Sequence, residues 1–188
     1  MPLTFYPSDK SLGMNFELQK ELFRRYPKVF RKPRDVSDGG PIDHRGVECG
    51  DGWFELVDRL SRACEREIEA LISRGLVPNR CPRVRQVKEK LGTLRFYIFG
   101  PLSEEFRERY LYVSEVESRR TCSLCGATGE ARAEPSNGTW CSACEANYVA
   151  TGKLPADFPV FGDKQYDANL LALLDSRPEQ PFGPDSTI

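Results

Sequence analysis

The chain has 188 residues, of which 39% are hydrophobic and 29% are charged, and its formal net charge is −1. This composition supplies enough apolar material for a core and excludes a collagen-like, coiled-coil or wholly disordered protein. The sequence has no run of about 18 apolar residues, so we expect no membrane span and no membrane partner. The polar N-terminus does not resemble a signal peptide. We therefore expect a cytoplasmic protein whose seven cysteines are metal ligands or buried thiols.

Basic residues are concentrated in two stretches of the chain. Residues 20–34 and residues 74–95 each hold seven Lys and Arg residues against one Glu, whereas residues 121–188 hold 4 basic and 9 acidic residues. Basic stretches of this kind attract phosphate-bearing partners, or form ordinary solvated surface balanced by acidic neighbours. The sequence leaves both interpretations open.

The spacing of apolar residues predicts three helices in the first part of the chain. The first covers residues 16–26 and is limited by Pro27. The longest covers residues 53–74, with Asp51 as its expected N-cap. The third covers residues 104–118 and is capped by Ser103.

A β-hairpin is predicted between the second and third helices. Its strands cover residues 83–88 and 93–99, joined by a turn at residues 89–92. In the second strand Leu94, Phe96 and Ile98 alternate with Arg95 and Tyr97. One face of this strand is therefore expected to be buried, and the other to be basic and aromatic.

Two C-x2-C pairs carry the strongest chemical signal in the sequence. Cys122 and Cys125 are separated from Cys141 and Cys144 by 15 residues. Four thiolates complete the tetrahedral coordination of a Zn²⁺ ion, and such a closed site is structural. Gly126 permits the backbone twist of a metal-binding knuckle. An intervening hairpin and a helix beginning at Cys144 would make this segment resemble a treble-clef zinc finger.

Other chemistries are open to four cysteines at this spacing. An Fe–S cluster, a redox-active dithiol and two disulfides are the alternatives. The arrangement of two pairs around a short hairpin favours one structural zinc ion.

The loop around the single histidine is a candidate for hydrolytic chemistry. His44 lies near Asp43, Glu48, Cys49 and Asp51. A Cys–His nucleophile pair, or a divalent metal held by the histidine and the carboxylates, would make this loop an active site. The alternative is an ordinary loop histidine beside a buried cysteine. P-loop, G-x-G-x-x-G, H-E-x-x-H and G-x-S-x-G motifs are absent.

Two further sets of residues are candidates for ligand binding. The sequence CGDGW at residues 49–53 precedes the long helix, and its amides, with Asp51 and Trp53, could bind an anion. On the predicted hairpin, a surface for phosphates and stacked bases would consist of Lys88, Lys90, Arg95 and Tyr97. Both sets have a structural alternative. The glycines of the CGDGW sequence would then only relieve strain beside a core tryptophan, and the hairpin residues would form an ordinary basic strand face.

Several motifs together resemble a known family. These are RYPKVF at residues 25–30, ECGDGWFELVDRL at 48–60, QVKEKLGTLRFY at 86–97 and the two C-x2-C pairs. In this order they resemble a family of small proteins encoded by tailed phages and bacterial prophages, over about residues 16–148. The resemblance implies an accessory protein acting in the bacterial cytoplasm, and it brings no activity with it. Such proteins often act in phage–host conflict, by binding a host defence protein or by sequestering its nucleotide signal.

The predicted fold class is α+β. Residues 16–120 would form two main helices packed on a β-hairpin or small antiparallel sheet, and residues 121–152 the treble-clef-like four-cysteine finger. A flexible N-terminus at residues 1–15 and a Pro-containing extended tail at residues 153–188 complete the chain. In the tail, Asp167 would cap a short leucine-rich helix. This helix should dock on its own domain or on a partner, because its leucines are too apolar for water.

The favoured function is that of a non-enzymatic binding protein with one structural zinc ion. A host or phage protein is the first expected partner. The first alternative is binding of nucleic acid or a nucleotide through the basic hairpin, and the second is hydrolysis by the His44/Asp51 loop.

Overall fold

The structure is a computed structural model that describes residues 13–133, 138–154, 164–179 and 182. The helices are α1 (Phe16–Arg25), α2 (Ile42–Arg45), α3 (Phe54–Ser73), α4 (Glu104–Phe106), α5 (Val113–Ser118), α6 (Ser142–Thr151) and α7 (Lys164–Asp175). The strands are β1 (Val47–Glu48), β2 (Arg83–Lys90), β3 (Thr93–Phe99), β4 (Glu130–Ala131) and β5 (Thr139–Trp140). Single 3₁₀ turns lie at Asp51–Trp53 and Pro78–Arg80, and a π-helical turn, Arg107–Tyr112, joins α4 to α5. The protein is thus a mixture of helices and small sheets.

Helix α3 forms where the apolar stripe predicted it. Its residues Leu56, Val57, Leu60, Cys64 and Ile68 are buried, whereas Leu71 and Ile72 near the end of the helix are half-buried. The predicted N-cap is wrong, because Asp51 lies in the 3₁₀ turn that precedes the helix. Its carboxylate instead accepts a hydrogen bond of 2.6 Å from the amide of Asn15, and so fixes the entry to α1.

The hairpin of β2 and β3 is the centre of a three-stranded sheet with the order β1-β2-β3. Leu91 and Gly92 form its turn with positive φ angles of 53° and 71°, which match the twist of paired strands. The prediction of a purely antiparallel sheet is wrong, because β1 pairs with β2 in parallel. This pairing places Val47 beside Val87. Parallel pairing is possible because α3 provides the crossover between the two strands.

The main apolar core lies where α3 and α1 meet the sheet. The fully buried members include Leu22 of α1, Leu60 of α3 and Val87 of β2. Trp53 is also fully buried in this core, as its structural interpretation predicted. On its other side α3 contacts the segment from α4 to α5.

Helix α7 in the tail docks on the main domain. Leu170, Leu173 and Leu174 are buried in the core, and the helix contacts α1 and α2. The prediction that the leucine-rich helix docks on its own domain is therefore confirmed. Asp167 lies within the first turn and does not cap the helix, which begins at Lys164. Of the predicted tail at residues 153–188, residues 155–163, 180, 181 and 183–188 lie outside the described residues.

The N-terminal end of the described chain is packed against the sheet. Met14 is fully buried, and its amide donates a hydrogen bond of 3.0 Å to the carbonyl of Val47. Asn15 caps α1 by accepting the amide of Glu17 at 2.8 Å. Residues 1–12 of the expected flexible N-terminus lie outside the described residues.

Candidate metal centre

The structure brings the four predicted ligand cysteines together. The Sγ atoms of Cys122, Cys125, Cys141 and Cys144 all lie within 4.8 Å of one another. Those of Cys125 and Cys141 are 3.7 Å apart. Two thiolates bound at about 2.3 Å to one tetrahedral ion would be about 3.8 Å apart. All four thiols are free, so the cluster has the dimensions of a metal site and not of two disulfides.

A tight backbone turn positions the first pair of cysteines. The amide of Cys122 donates to the carbonyl of Ala127 at 2.7 Å, and the amide of Gly126 donates to the carbonyl of Cys122 at 2.9 Å. Gly126 has a φ angle of 79°, a conformation that favours glycine. The sequence correctly indicated why a glycine follows Cys125.

The second pair lies where β5 passes into α6. Cys141 directly follows β5 and is the N-cap of α6, where its sulfur accepts the amide of Cys144 at 3.4 Å. This amide is the main reason why the pKa of Cys141 falls to about 7. Burial raises the pKa of Cys125 and of Cys144. A bound cation would displace the remaining protons, so metal affinity is expected to rise with pH.

The cysteines have a small apolar core of their own. Trp140 and Leu124 are buried beside Cys122, apart from the main core. The ring of Tyr148 from α6 contacts Trp140 edge-on, with ring centroids 5.3 Å apart. This four-cysteine unit, residues 121–133 and 138–154, is too small for an apolar core alone to hold it, which is the usual reason for a structural metal.

The CGDGW loop is the surface on which the four-cysteine unit docks. The amide of Gly52 donates to the carbonyl of Ser123 at 3.0 Å, and the indole N–H of Trp53 donates to the carbonyl of Thr121 at 2.7 Å. The amide of Trp53 donates to the carbonyl of Gly50 at 3.1 Å. The amides expected to face an anion are thus engaged by backbone carbonyls. Sequence reasoning singled out this loop but missed its partner.

The hairpin turn makes a second contact with the four-cysteine unit. The hydroxyl of Thr139 donates to the carbonyl of Gly92 at 2.6 Å. Glu89 of β2 is half-buried here, with its carboxylate beside Gly138. Burial raises the pKa of Glu89 to about 7. No sequence pattern indicated Glu89, since Gly138, which lies beside its carboxylate, is 49 positions away along the chain.

The acidic side chains of the candidate hydrolase loop each bind a different partner. Asp43 pairs with Arg83 and with Arg177, Glu48 accepts from Gln86 at 2.8 Å, and Asp51 accepts from Asn15. His44 is exposed on α2, whereas Cys49 is fully buried and burial raises its pKa. Among the residues that the structure describes, the four cysteines are the one group placed to hold a cation.

The basic residues of the hairpin share one face of the sheet. Lys88 lies opposite Arg95, and its ammonium group is 5.9 Å from the ring centroid of Tyr97. Arg95 is paired with Glu115 of α5. In the described part of the chain, Lys88 and Lys90 have no ion-pair partner. Of the three cations on this face, one is therefore paired with a carboxylate.

Comparison with known proteins gives no match to the chain, whether with family models, curated proteins or solved structures. No described helix combines the length and the apolar character needed to cross a bilayer. The function is therefore inferred from the contacts and charges of the described residues.

Proposed function

We propose that this is a non-enzymatic binding protein that contains one structural Zn²⁺ ion, held by Cys122, Cys125, Cys141 and Cys144. The observation that carries the proposal is the closed cluster of four sulfur atoms within 4.8 Å of one another. Four protein ligands leave no open position at which a substrate could be activated. The separate engagement of Asp43, Glu48 and Asp51 also supports a non-enzymatic role.

The order of elements in the four-cysteine unit supports a treble-clef finger. A knuckle carries the first cysteine pair, the hairpin β4–β5 follows, and Cys144 lies in the first turn of α6. A helix N-terminus favours thiolate and thus metal binding at the second pair. The ion would fix the knuckle that Gly52 and Trp53 contact, and so connect the finger rigidly to α3.

A protein partner is the binding function that the surface supports best. Aromatic side chains are exposed on β3 and on the adjoining π-helical turn, with exposed fractions of 45% for Tyr97, 57% for Phe99 and 67% for Tyr112. Aromatic residues are enriched in protein interfaces and carry much of their binding energy. The resemblance to phage and prophage proteins supports a host or phage protein as this partner and the bacterial cytoplasm as the site of action.

Elemental analysis tests the metal proposal. Protein purified without added metal should contain about one zinc per chain. Cys141→Ser should release the ion and expose the amides of residues 138–151 to hydrogen exchange, while those of α3 stay protected. Cys81→Ser, at a buried thiol outside the cluster, should retain zinc. Iron in place of zinc, or a folded metal-free unit with four reactive thiols, would contradict the proposal.

Co-purification tests the protein partner. The double variant Tyr97→Ala/Tyr112→Ala should lose a partner protein that the wild type retains from infected or lysogenic cells. Val149→Ala is the matched control, because Val149 is also exposed but lies on α6. Retention of the partner by the double variant would refute this surface.

Nucleic-acid binding through the hairpin is the second candidate, and the cation–π contact of Lys88 with Tyr97 favours it. Lys88→Glu/Lys90→Glu should then abolish binding to single-stranded RNA or DNA without changing the melting temperature. Binding should also fall steeply with salt. Wild-type protein with no affinity for either polymer at low salt would eliminate this candidate.

A further inference from the structure

A cleft lies between α3 and the helical segment 104–118. Its volume is about 560 Å³, within the range of small-molecule sites, about 300–1,000 Å³. Neither the metal centre nor the hairpin surface contributes to it. Its lining combines arginines with apolar and aromatic groups.

We call it the arginine cleft, because four of its lining residues are arginines. Three of them, Arg59, Arg62 and Arg66, follow one another on α3 at helical spacing and line one wall, and Arg109 lines the other. Two glutamates, Glu67 and Glu117, also line the cleft. The formal charge of its lining is therefore +2.

Two of the four arginines are already engaged. Arg59 pairs with Glu117 across the cleft, and Arg62 pairs with Asp58 at 2.5 Å, one turn back along α3. These pairs hold the two side chains in place and neutralise much of their charge. Arg59 and Arg62 therefore fix the shape of the cleft more than they attract an anion.

The other two arginines are available to an anion. Arg66 is exposed and has no ion pair or hydrogen bond to another described residue. Arg109 lies 3.7 Å from Glu105, but both side chains are largely exposed, so the pair is weak. Guanidinium groups bind phosphate through two parallel hydrogen bonds, which makes arginine the preferred phosphate ligand at such a site.

The floor of the arginine cleft is apolar and aromatic. Leu60 and Phe106 are buried at its base. Phe106 and Tyr110 lie with ring centroids 5.1 Å apart at an angle of 38°, and Tyr110 is partly exposed towards the cleft. A phosphate ion alone would gain nothing from these rings, whereas a planar base would stack on them.

A π-helical turn carries two of the residues that line the cleft. Arg109 and Tyr110 both lie in the π-helical turn Arg107–Tyr112. Turns of this kind are rare and occur frequently at functional sites. Here the turn places one cation and one aromatic ring side by side on the same wall, with the guanidinium carbon of Arg109 5.7 Å from the ring centroid of Tyr110.

We propose that the arginine cleft binds a nucleoside phosphate. The base would stack on Tyr110, and the phosphates would bind to Arg66 and Arg109. This chemistry is shared by a free nucleotide and by the terminal nucleotide of a nucleic-acid strand. The site is independent of the basic hairpin, since none of Lys88, Lys90 and Arg95 lines it.

Calorimetric titration of the zinc-loaded full-length protein at low salt tests this proposal. The ligands are ATP, AMP, adenosine, pyrophosphate and a short single-stranded RNA. ATP should bind more tightly than AMP, and adenosine most weakly, since each phosphate adds charge-assisted hydrogen bonds. RNA binding tighter than ATP binding, with the same dependence on Arg66, would support the proposal and assign the ligand to a strand end.

Substitutions distinguish this site from general attraction of anions. Arg66→Ala should weaken ATP binding by about tenfold or more, whereas Arg80→Ala, at an exposed arginine outside the cleft, should not. Tyr110→Phe should retain affinity, and Tyr110→Ala should lose it. Absence of binding to all five ligands, or equal ATP affinity of wild type and Arg66→Ala, would overturn the proposal. Pyrophosphate binding as tight as that of ATP would overturn the role of the aromatic floor.

Discussion

The backbone of Gly52 lies directly against the carbonyl group of Cys122. A Cβ atom added to Gly52 would lie 2.2 Å from the oxygen of Cys122 and 2.4 Å from the amide nitrogen of Gly126. Neither neighbour is a flexible side chain, so neither can move without moving the knuckle. The glycine therefore allows the start of α3 to contact the metal-binding turn at backbone distance.

Gly52→Ala should displace the knuckle from the CGDGW loop. Overpacking of this kind costs about 1–3 kcal/mol, and it should lower both the free energy of unfolding and the affinity for zinc. Chemical denaturation and competition with a chelator measure the two effects. Gly39→Ala is the milder control, because its Cβ would lie 3.3 Å from the carbonyl oxygen of Val36, a tight contact outside the four-cysteine unit that should cost less stability and leave zinc affinity unchanged. Equal zinc affinity of both variants would show that the contact does not support the site.

Glu89 should make stability depend on pH near neutrality. Its pKa is about 7 in the folded protein against an ordinary value of 4.5, so the folded state holds the proton more tightly than the unfolded state. Its contribution to the free energy of unfolding is therefore greatest below pH 4.5. That contribution declines as the pH rises to about 7, by an amount on the order of 3 kcal/mol.

Glu89→Gln should remove this dependence. Relative to wild type, the variant should gain stability between pH 5 and pH 8, because an amide has no charge to desolvate. Thermal unfolding of both proteins across this range measures the difference, and titration of the cysteines cancels in the comparison. The stability of Glu108→Gln, a substitution at an exposed glutamate, should vary with pH as that of the wild type does. A constant difference between Glu89→Gln and wild type would show that Glu89 titrates normally.

Local patterns were enough to predict the elements that carry their own periodicity. The stripe from Leu56 to Ile68 predicted α3, and the alternation from Leu94 to Ile98 predicted β3. The spacing of the four cysteines predicted the candidate metal site, because each pair is brought together by a turn of a few residues. These features depend on neighbours within a few positions along the chain.

Contacts between distant residues could not be predicted in this way. Nothing in the sequence indicates that Gly52 meets Cys122, or that a two-residue strand, Val47–Glu48, pairs in parallel with β2. The interpretation of Asp51 as a cap failed for the same reason, since its partner Asn15 lies 36 positions away. Polar side chains near one another in sequence resembled a site, although the fold gives each of them a different partner.

Asp43 should be required for the stability of the fold and not for catalysis of a hydrolytic reaction. It is the acidic partner of two buried arginines, Arg83 and Arg177, and its carboxylate lies 2.8 Å from Arg177. Asp43→Asn removes the carboxylate that pairs with both cations, and breaking a buried pair costs about 3–5 kcal/mol. Denaturation should show this loss, whereas Glu108→Gln, at an exposed glutamate that does not contact either arginine, should not. A variant of wild-type stability would disprove the structural role of Asp43.

Leu170 and Leu171 of α7 provide the closest test of tail docking, since they are adjacent and chemically identical. Leu170 is 1% exposed and packs beside Gly46, whereas Leu171 is 51% exposed. Leu170→Ala should therefore cost about 2–5 kcal/mol of unfolding free energy, and Leu171→Ala should cost little. Hydrogen exchange should show loss of protection across α7 in the first variant only. Equal effects of the two substitutions would mean that α7 does not pack in this orientation, and a change in oligomeric state confined to Leu171→Ala would instead place that leucine in an interface.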